Sequence, residues 1–156
     1  MAKYDRIIDG RTFESAEPIR VTRAMIEAFC AAVGETNPLF TGAGSAAEGS
    51  ERDLVAPPSF AAIFGDGENI FSHYPELNEF NSRRLLAGID AEYLAPLRVG
   101  DSITIVSRLH AIYEKTGRSG PMIFVVIASL LRNHDGEVAV RIEHRFTNPL
   151  QRVGAS

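Results

Sequence analysis

The stretch MIFVVIASLL, Met122–Leu131, is apolar at every position except Ser129. A strand with one wet face alternates apolar and polar residues. One that is apolar on both faces needs cover on both, so this run reads as a central strand. Beyond it, Asp135-Gly136 is a turn signal. Glu137–Thr147 then alternates, with Val138, Val140, Ile142 and Phe146 facing inward and Glu137, Arg141, Glu143 and Arg145 outward. Upstream, TGRSGP (Thr116–Pro121) reads as a hairpin connection. It is preceded by a strand, Ser102–Lys115, with Ile103, Ile105, Leu109 and Tyr113 expected on one face. Pro96 and a turn at Val99-Gly100-Asp101 set off a first strand, Leu85–Leu94.

Consecutive strands joined by short turns form an antiparallel meander, and a long helix is expected to cover one face of it. The first half of the chain is mixed in pattern. A short strand is expected near Ile19–Val21, with Thr22 as the N-cap of a helix whose apolar face is Met25, Ile26, Phe29, Cys30 and Val33. Gly34 supplies its stop. Thr41–Asp53 is small, polar and glycine-bearing, an exposed loop. Pro57-Pro58 forces extension before Ser59, which is expected to cap a short, buried apolar helix, Ser59–Phe64. From Gly65 to Asn81 the pattern is irregular. The expected class is α+β, one domain over 1–156 with a core of about 21–147, without repeats or linker.

Composition excludes several functions. A chain of 156 residues with 45% hydrophobic and 23% charged residues is large enough for a core without metal or disulfide staples. A net charge of −4 gives no electrostatic reason to expect nucleic acid or an anionic membrane. Cys30 is the only cysteine, which rules out an intrachain disulfide and suits a reducing compartment. No apolar run approaches the roughly eighteen residues of a membrane span. MAKYDRIIDGRTFES lacks the apolar core of a secretory signal, so a cytoplasmic location is expected.

VGETNPLF (Val33–Phe40) resembles the motif of the MaoC-like (R)-specific enoyl-thioester hydratases and dehydratases, a hotdog-fold family. There a glycine and an aspartate precede one free position, Asn-Pro, an aliphatic residue and a histidine. Gly34, Asn37, Pro38 and Leu39 match. APPSFAAIF (Ala56–Phe64) resembles the family's buried helix entrance, EYLAPLRVGDSI (Glu92–Ile103) its Pro–basic–Gly-Asp connection, and EKTGRSGPMIFVVI (Glu114–Ile127) its next hairpin. The resemblance runs in order from about Val21 to Thr147, and is strongest to dehydratase subunits whose catalytic pair is degenerate. It implies a curved antiparallel sheet wrapped around a central helix.

Hydration of an enoyl thioester needs a base to activate water, an acid for the alpha carbon, and donors for the enolate-like oxygen. In the family the aspartate and the histidine five residues on do the proton work. Here those positions hold Glu35 and Phe40. Glu35 carries its carboxylate on a longer arm, displaced by ~1 Å, a scale that costs ~100-fold. Phe40 neither donates nor accepts a proton, and losing a positioned acid–base group costs ~10²–10⁴-fold. No catalytic residue is therefore expected on this chain.

The resemblance implies a non-catalytic acyl-chain-binding subunit of a heteromeric hydratase or dehydratase. Its partner would be a MaoC-like catalytic hotdog subunit with the Asp–His pair, in a dimer or dimer of dimers. The substrate would be a fatty or sterol-derived acyl group on coenzyme A or acyl-carrier protein, with no separate cofactor. Expected substrate-binding residues are Glu35, Asn37, Phe40, Ser59, Phe60 and Phe64. The alternative is a stand-alone homodimeric acyl-thioester binder or thioesterase using Glu35.

Blander roles stand beside these. Glu35 also reads as a solvated turn residue, Asn37-Pro38 as a turn initiator, and Phe40 as packing. His144 falls in the inward row of its strand and reads as a hydrogen-bonded core residue; nothing pairs it with a second ligand, so no metal is expected. His110 lies in a polar row, and His73 and His134 read as solvated. Asp90 and Glu92 share one row of a strand, either a solvated edge or a carboxylate pair. Cys30 reads as a small core residue.

Overall fold

Two short and four long strands build the sheet. They are β1 (Phe13–Glu14), β2 (Ile19–Arg20), β3 (Leu85–Tyr93), β4 (Ser102–Gly117), β5 (Gly120–Arg132) and β6 (Val138–Pro149). The computed structural model describes residues 7–42, 54–65, 70–118 and 120–149. The strand order is β1-β4-β5-β6-β3, with β2 also paired to β4, and every pairing is antiparallel. The run that is apolar on both faces lies in β5, at the centre of the sheet. Its inner residues Ile123, Val125, Ile127 and Leu131 are buried. On the outer row Val126 is buried, while Met122, Phe124, Ala128 and Leu130 are only half-buried.

A bulge between Leu109 and Ala111 shifts the phase of β4. Ile112 becomes the next buried residue, and Tyr113 turns to the outer face, stacked on Phe124 with ring centroids 5.2 Å apart. Tyr113 therefore does not share a face with Leu109, because one extra residue reverses a period of two. The 133–137 turn is organised by Asn133, whose Oδ1 accepts from the backbone N–H of Asp135 (3.0 Å) and of Glu137 (2.9 Å).

Helix α1 (Arg23–Val33) starts where expected. Thr22 is extended, and its side chain accepts from Met25 N at 3.2 Å. Gly34 ends the helix in the left-handed conformation, φ 71°. Ile26 and Cys30 are buried and Met25 and Phe29 half-buried, but Val33 is 55% exposed. Its position in the last turn carries it past the edge of the core.

Among the described residues no single long helix covers the inner face of the sheet. α1 shares the task with short helical pieces at Phe60–Phe64, Ile70–His73, Pro75–Leu77 and α3 (Asn78–Ser82). The stretch expected to be irregular thus forms tight turns. Its buried residues Phe71, Tyr74, Leu77 and Phe80 recur every third position, the period of a 3₁₀-helix. Ser59 does not cap the Phe60 turn: its backbone is already helical (φ −80°, ψ −8°), and its side chain makes no capping bond. Of the loop expected over Thr41–Asp53, only Thr41 and Gly42 lie within the described residues.

Two clusters form the core. One joins Ile26, Cys30, Phe60, Ala61 and Phe64 to Ile103, Ile105, Leu131, Val140 and Ile142. The other joins Ile70, Phe71, Leu77 and Phe80 to Leu109, Ile123, Val125 and Ile127. Between them, along β4 and β5, the paired hydroxyls of Ser107 and Ser129 lie fully buried, 2.7 Å apart.

Candidate functional site

The loop after α1 is held by its own hydrogen bonds. Gly34 reverses the chain, so that Glu35 N donates back to Cys30 O at 2.9 Å. The Glu35 carboxylate then accepts from the backbone N–H of Asn37, Oε1 to N 2.8 Å. Asn37 is extended and caps α2 (Pro38–Thr41), its Oδ1 accepting from Leu39 N at 3.0 Å. Pro38, which has no N–H to satisfy, fits the first turn. The Asn37 carbonyl accepts from both Phe40 N and Thr41 N at 3.0 Å. The Cys30 thiol donates to Phe40 O, 3.7 Å away. Burial pushes that thiol's pKa up, and the nearby charges of Glu35 and Glu27 push it further. A protonated thiol is what a donor to a carbonyl requires.

This network brings Glu35, Asn37 and Phe40 together on one short turn and commits the first two to its backbone. Phe40 packs half-buried against the first core cluster. It opens onto an apolar cleft of about 400 Å³, lined also by Val55, Ala56, Pro58 and Tyr93–Pro96. Backbone bonds from Leu94 N and Ala95 N to Ala139 O (2.8 and 3.1 Å) fix the far wall to the start of β6.

Among the described residues Tyr93 supplies the cleft's one titratable side chain, and the sequence reading missed it. Its hydroxyl oxygen accepts from Ala61 N at 3.1 Å, at the start of the Phe60–Phe64 turn. Burial raises the Tyr93 pKa while that N–H pulls the other way, leaving a net upward shift. The hydroxyl is therefore neutral near pH 7 and keeps a proton to donate. A signal existed: an aromatic with a polar tip closing an inward row beside Leu94-Ala95-Pro96.

The other expected site residues lie elsewhere. Phe60 and Phe64 are buried in the first core cluster, behind the cleft and not among its lining residues. Phe60 meets Phe29 and Phe64 edge-on, at 5.5 and 5.6 Å. Ser59 is exposed beside Pro58.

A larger cleft, about 740 Å³, opens on the outer sheet face, away from this loop. Asp90 and Glu92 line it as a solvated row, each paired with an arginine of β6: Glu92 with Arg141 at 2.8 Å, and Asp90 with Arg145. Exposed pairs of this kind contribute little, ~0–1 kcal/mol. His110 faces Glu143 at 3.7 Å and His134 faces Asp135 at 3.2 Å. His73 stacks on Phe13, and His144 is buried against Phe146.

Residues 8–142 match the family model described as FAS1-like, dehydratase domain region. The chain belongs to that family. A UPF0336 protein of Streptomyces coelicolor is 32% identical over 114 residues, covering 72% of this chain and 76% of the relative. A MaoC-like dehydratase from Rhodospirillum rubrum superposes with TM-score 0.58 at 28% identity, covering 90% of this chain and 93% of the other. The HadBC complex of Mycobacterium tuberculosis, a 3R-hydroxyacyl-ACP dehydratase, gives TM-score 0.64 at 22% identity, covering 88% and 95%. The ChsH1–ChsH2 complex from the same organism gives 0.68 at 18%, covering 91% and 86%. The fold of this FAS1-like dehydratase region is thus the MaoC-like hotdog, a curved antiparallel sheet with its helical segments on the inner face. Among the described residues no helix is long and apolar enough to cross a membrane.

Proposed function

We propose that this chain is the acyl-holding, non-catalytic subunit of a heteromeric hydratase or dehydratase acting on fatty or sterol-derived acyl thioesters. The observation that carries the proposal is the state of the Glu35–Phe40 turn. One end holds a carboxylate already engaged by Asn37 N; the other holds a phenyl ring facing an apolar cleft. Water activation needs a base free to take a proton, and alpha-carbon protonation needs an acid. Phe40 supplies no acid, and Glu35 Oε1 is held by the turn's own backbone. The same turn is well suited to grip an acyl tail, with Phe40, Val55 and Pro58 as wall. Phe60 and Phe64 support that wall from behind, Tyr93 is a neutral donor in its lining, and Asn37 and Ser59 neighbour the lining residues Phe40 and Pro58 in the chain.

The proton chemistry then falls to a partner, a MaoC-like hotdog chain with an intact Asp–His pair, giving a dimer or dimer of dimers. Two of the similar structures are complexes of differently named chains. Among the described residues strand β3 pairs only with β6, which leaves its other edge without a strand partner, and it ends at Tyr93 on the cleft. Leu85, Leu86 and Leu94 stand 59%, 56% and 49% exposed along it. A partner seated on this edge buries them and closes the cleft. The carrier is coenzyme A or acyl-carrier protein, with no further cofactor, in the cytoplasm.

The test is co-expression with a chain carrying the Asp–His pair, followed by native mass measurement and turnover of long- and short-chain enoyl-CoA. In that complex Phe40→Ala should raise the Michaelis constant selectively for the long substrate. Equal loss on both substrates would reduce Phe40 to packing.

A further inference from the structure

We propose that Arg20 and Arg98 anchor a phosphate group on the pantetheine arm that carries the acyl chain. The proposal rests on the acyl-thioester reading above and adds the other end of the substrate. The turn after Pro96 is folded tightly: Arg98 N donates to Asp101 Oδ2 at 2.8 Å, Asp101 N donates to Arg98 O at 3.1 Å, and Gly100 takes φ 92°. The end of β2 is tied to it, with Val21 N donating to Asp101 O and Gly100 N to Val21 O, both at 2.8 Å. Arg20, beside Val21, is thereby brought to the same place as Arg98. Together with Ser102 and His134 they surround a cleft of about 360 Å³.

The charge there is unbalanced. Among the described residues neither Arg20 nor Arg98 makes an ion pair, whereas six other basic side chains, including His110 and His134, pair with nearby acids. Of the acids near the cleft, Asp101 lies in the lining and accepts the Arg98 backbone N–H, a bond that leaves its charge in place, and Asp135 faces His134 at 3.2 Å. Two guanidiniums against the single Asp101 carboxylate of the lining leave the cleft with a positive excess in a chain of net charge −4, a local anion site. Guanidinium forks suit phosphate oxygens, and the Ser102 hydroxyl adds a neutral donor.

Position gives the anion its identity. Val55 pairs with Arg98 in an isolated bridge, flanked by Ala56 N to Leu97 O (2.8 Å) and Val99 N to Leu54 O (3.2 Å). Val55, Ala56 and Pro96 line the apolar cleft, and Arg98 and Val99 line the basic one. Pro96 and Arg98 are two residues apart, at most ~7 Å along the chain. A ligand apolar at one end and phosphorylated at the other fits the adjoining clefts. Coenzyme A and the phosphopantetheine of a carrier protein both have that chemistry.

The experiment measures calorimetric binding of a long-chain acyl-CoA and of the matching N-acetylcysteamine thioester, which lacks phosphate. Wild type is compared with Arg20→Ala/Arg98→Ala, and folding of each is checked by thermal melting. Both arginines are exposed, so the melting midpoint should not move. Wild type should bind the CoA thioester at least ~10-fold tighter, a preference that shrinks with salt. The double variant should lose the preference without losing the truncated thioester, and Arg98→Lys should restore part of it. A parallel arm with acyl-loaded carrier protein assigns the phosphate: loss confined to one arm names that carrier as the source. A preference that survives in the double variant overturns the anchor and leaves the acyl reading standing. Wild type that binds neither thioester overturns both.

Discussion

The long strands and the turn from Gly34 to Gly42 are built by different rules. In the sheet half, side chains carry the information: β5 and β6 are set by which residues are apolar, and the backbone bonds follow automatically. In the turn, polar side chains are spent on the backbone itself, Glu35 on Asn37 N and Asn37 on Leu39 N. The sheet half therefore makes a rigid inner surface, and the turn makes a compact support that presents one side chain, Phe40, to a cleft. The contrast teaches that a turn can be held by polar side chains bonded to its own backbone while a neighbouring side chain stays free to face a cleft.

The largest expected effect separates two phenylalanines. Phe60→Ala should cost ~3–5 kcal/mol in chemical denaturation, because Phe60 is completely buried between α1 and the sheet. Phe40→Ala should cost only roughly 1 kcal/mol, since a half-buried ring recovers part of the ~1.5–3 kcal/mol of full burial. Equal costs would make Phe40 a core residue and dissolve the distinction between scaffold and wall.

Next comes the hydroxyl pair inside the sheet. Ser129→Ala leaves the Ser107 hydroxyl buried without its partner, and should cost ~1–3 kcal/mol. The double variant Ser107→Ala/Ser129→Ala should cost less than the sum of the two single changes. A strictly additive double-mutant cycle would show that the two hydroxyls do not depend on each other.

Much of the sheet was legible because period-two alternation is a local signal. The strands from Leu85 to Thr147, the Thr22 cap and the Gly34 stop were all readable from neighbouring residues. What escaped depends on distant ones. The bulge at Leu109–Ala111 turned Tyr113 outward without any glycine or proline to announce it. The long covering helix gave way to 3₁₀ turns because every third residue, Phe71 to Phe80, must reach the same surface. At the candidate site, Glu35, Asn37 and Phe40 were legible as a motif. Tyr93 was not, since its hydroxyl meets Ala61, 32 positions away. Phe60 and Phe64 were read as wall and proved to be buried behind it, because apolarity does not distinguish lining from core.

Caps provide a finer test of the two rules. Thr22→Ala should cost ~1 kcal/mol globally, as the loss of an N-cap does. Asn37→Ala should cost less in global stability, because α2 spans only four residues, but should loosen the turn. Hydrogen exchange at Leu39 N reads that loosening directly. Unchanged protection there would contradict a turn held by its side chains.

The smallest expected effect is alkaline. Burial raises the pKa of Tyr93, and that of Tyr74 is raised by burial and by its bond to Asp9. Folding stability from these groups is complete below the unfolded value of about 10 and is lost as pH climbs toward the raised folded values. Tyr93→Phe should flatten part of the fall in melting temperature above about pH 10. An unchanged alkaline limb would mean that Tyr93 ionises as freely folded as unfolded.

The central claim is that this chain holds an acyl group and leaves the proton chemistry to a partner. The most direct measurement is steady-state hydration of a long-chain enoyl-CoA by the purified chain alone, and again after adding a MaoC-like chain with an intact Asp–His pair. The account predicts negligible turnover alone and turnover of roughly 1–10³ s⁻¹ for the complex. Turnover in that range by the isolated chain would contradict it.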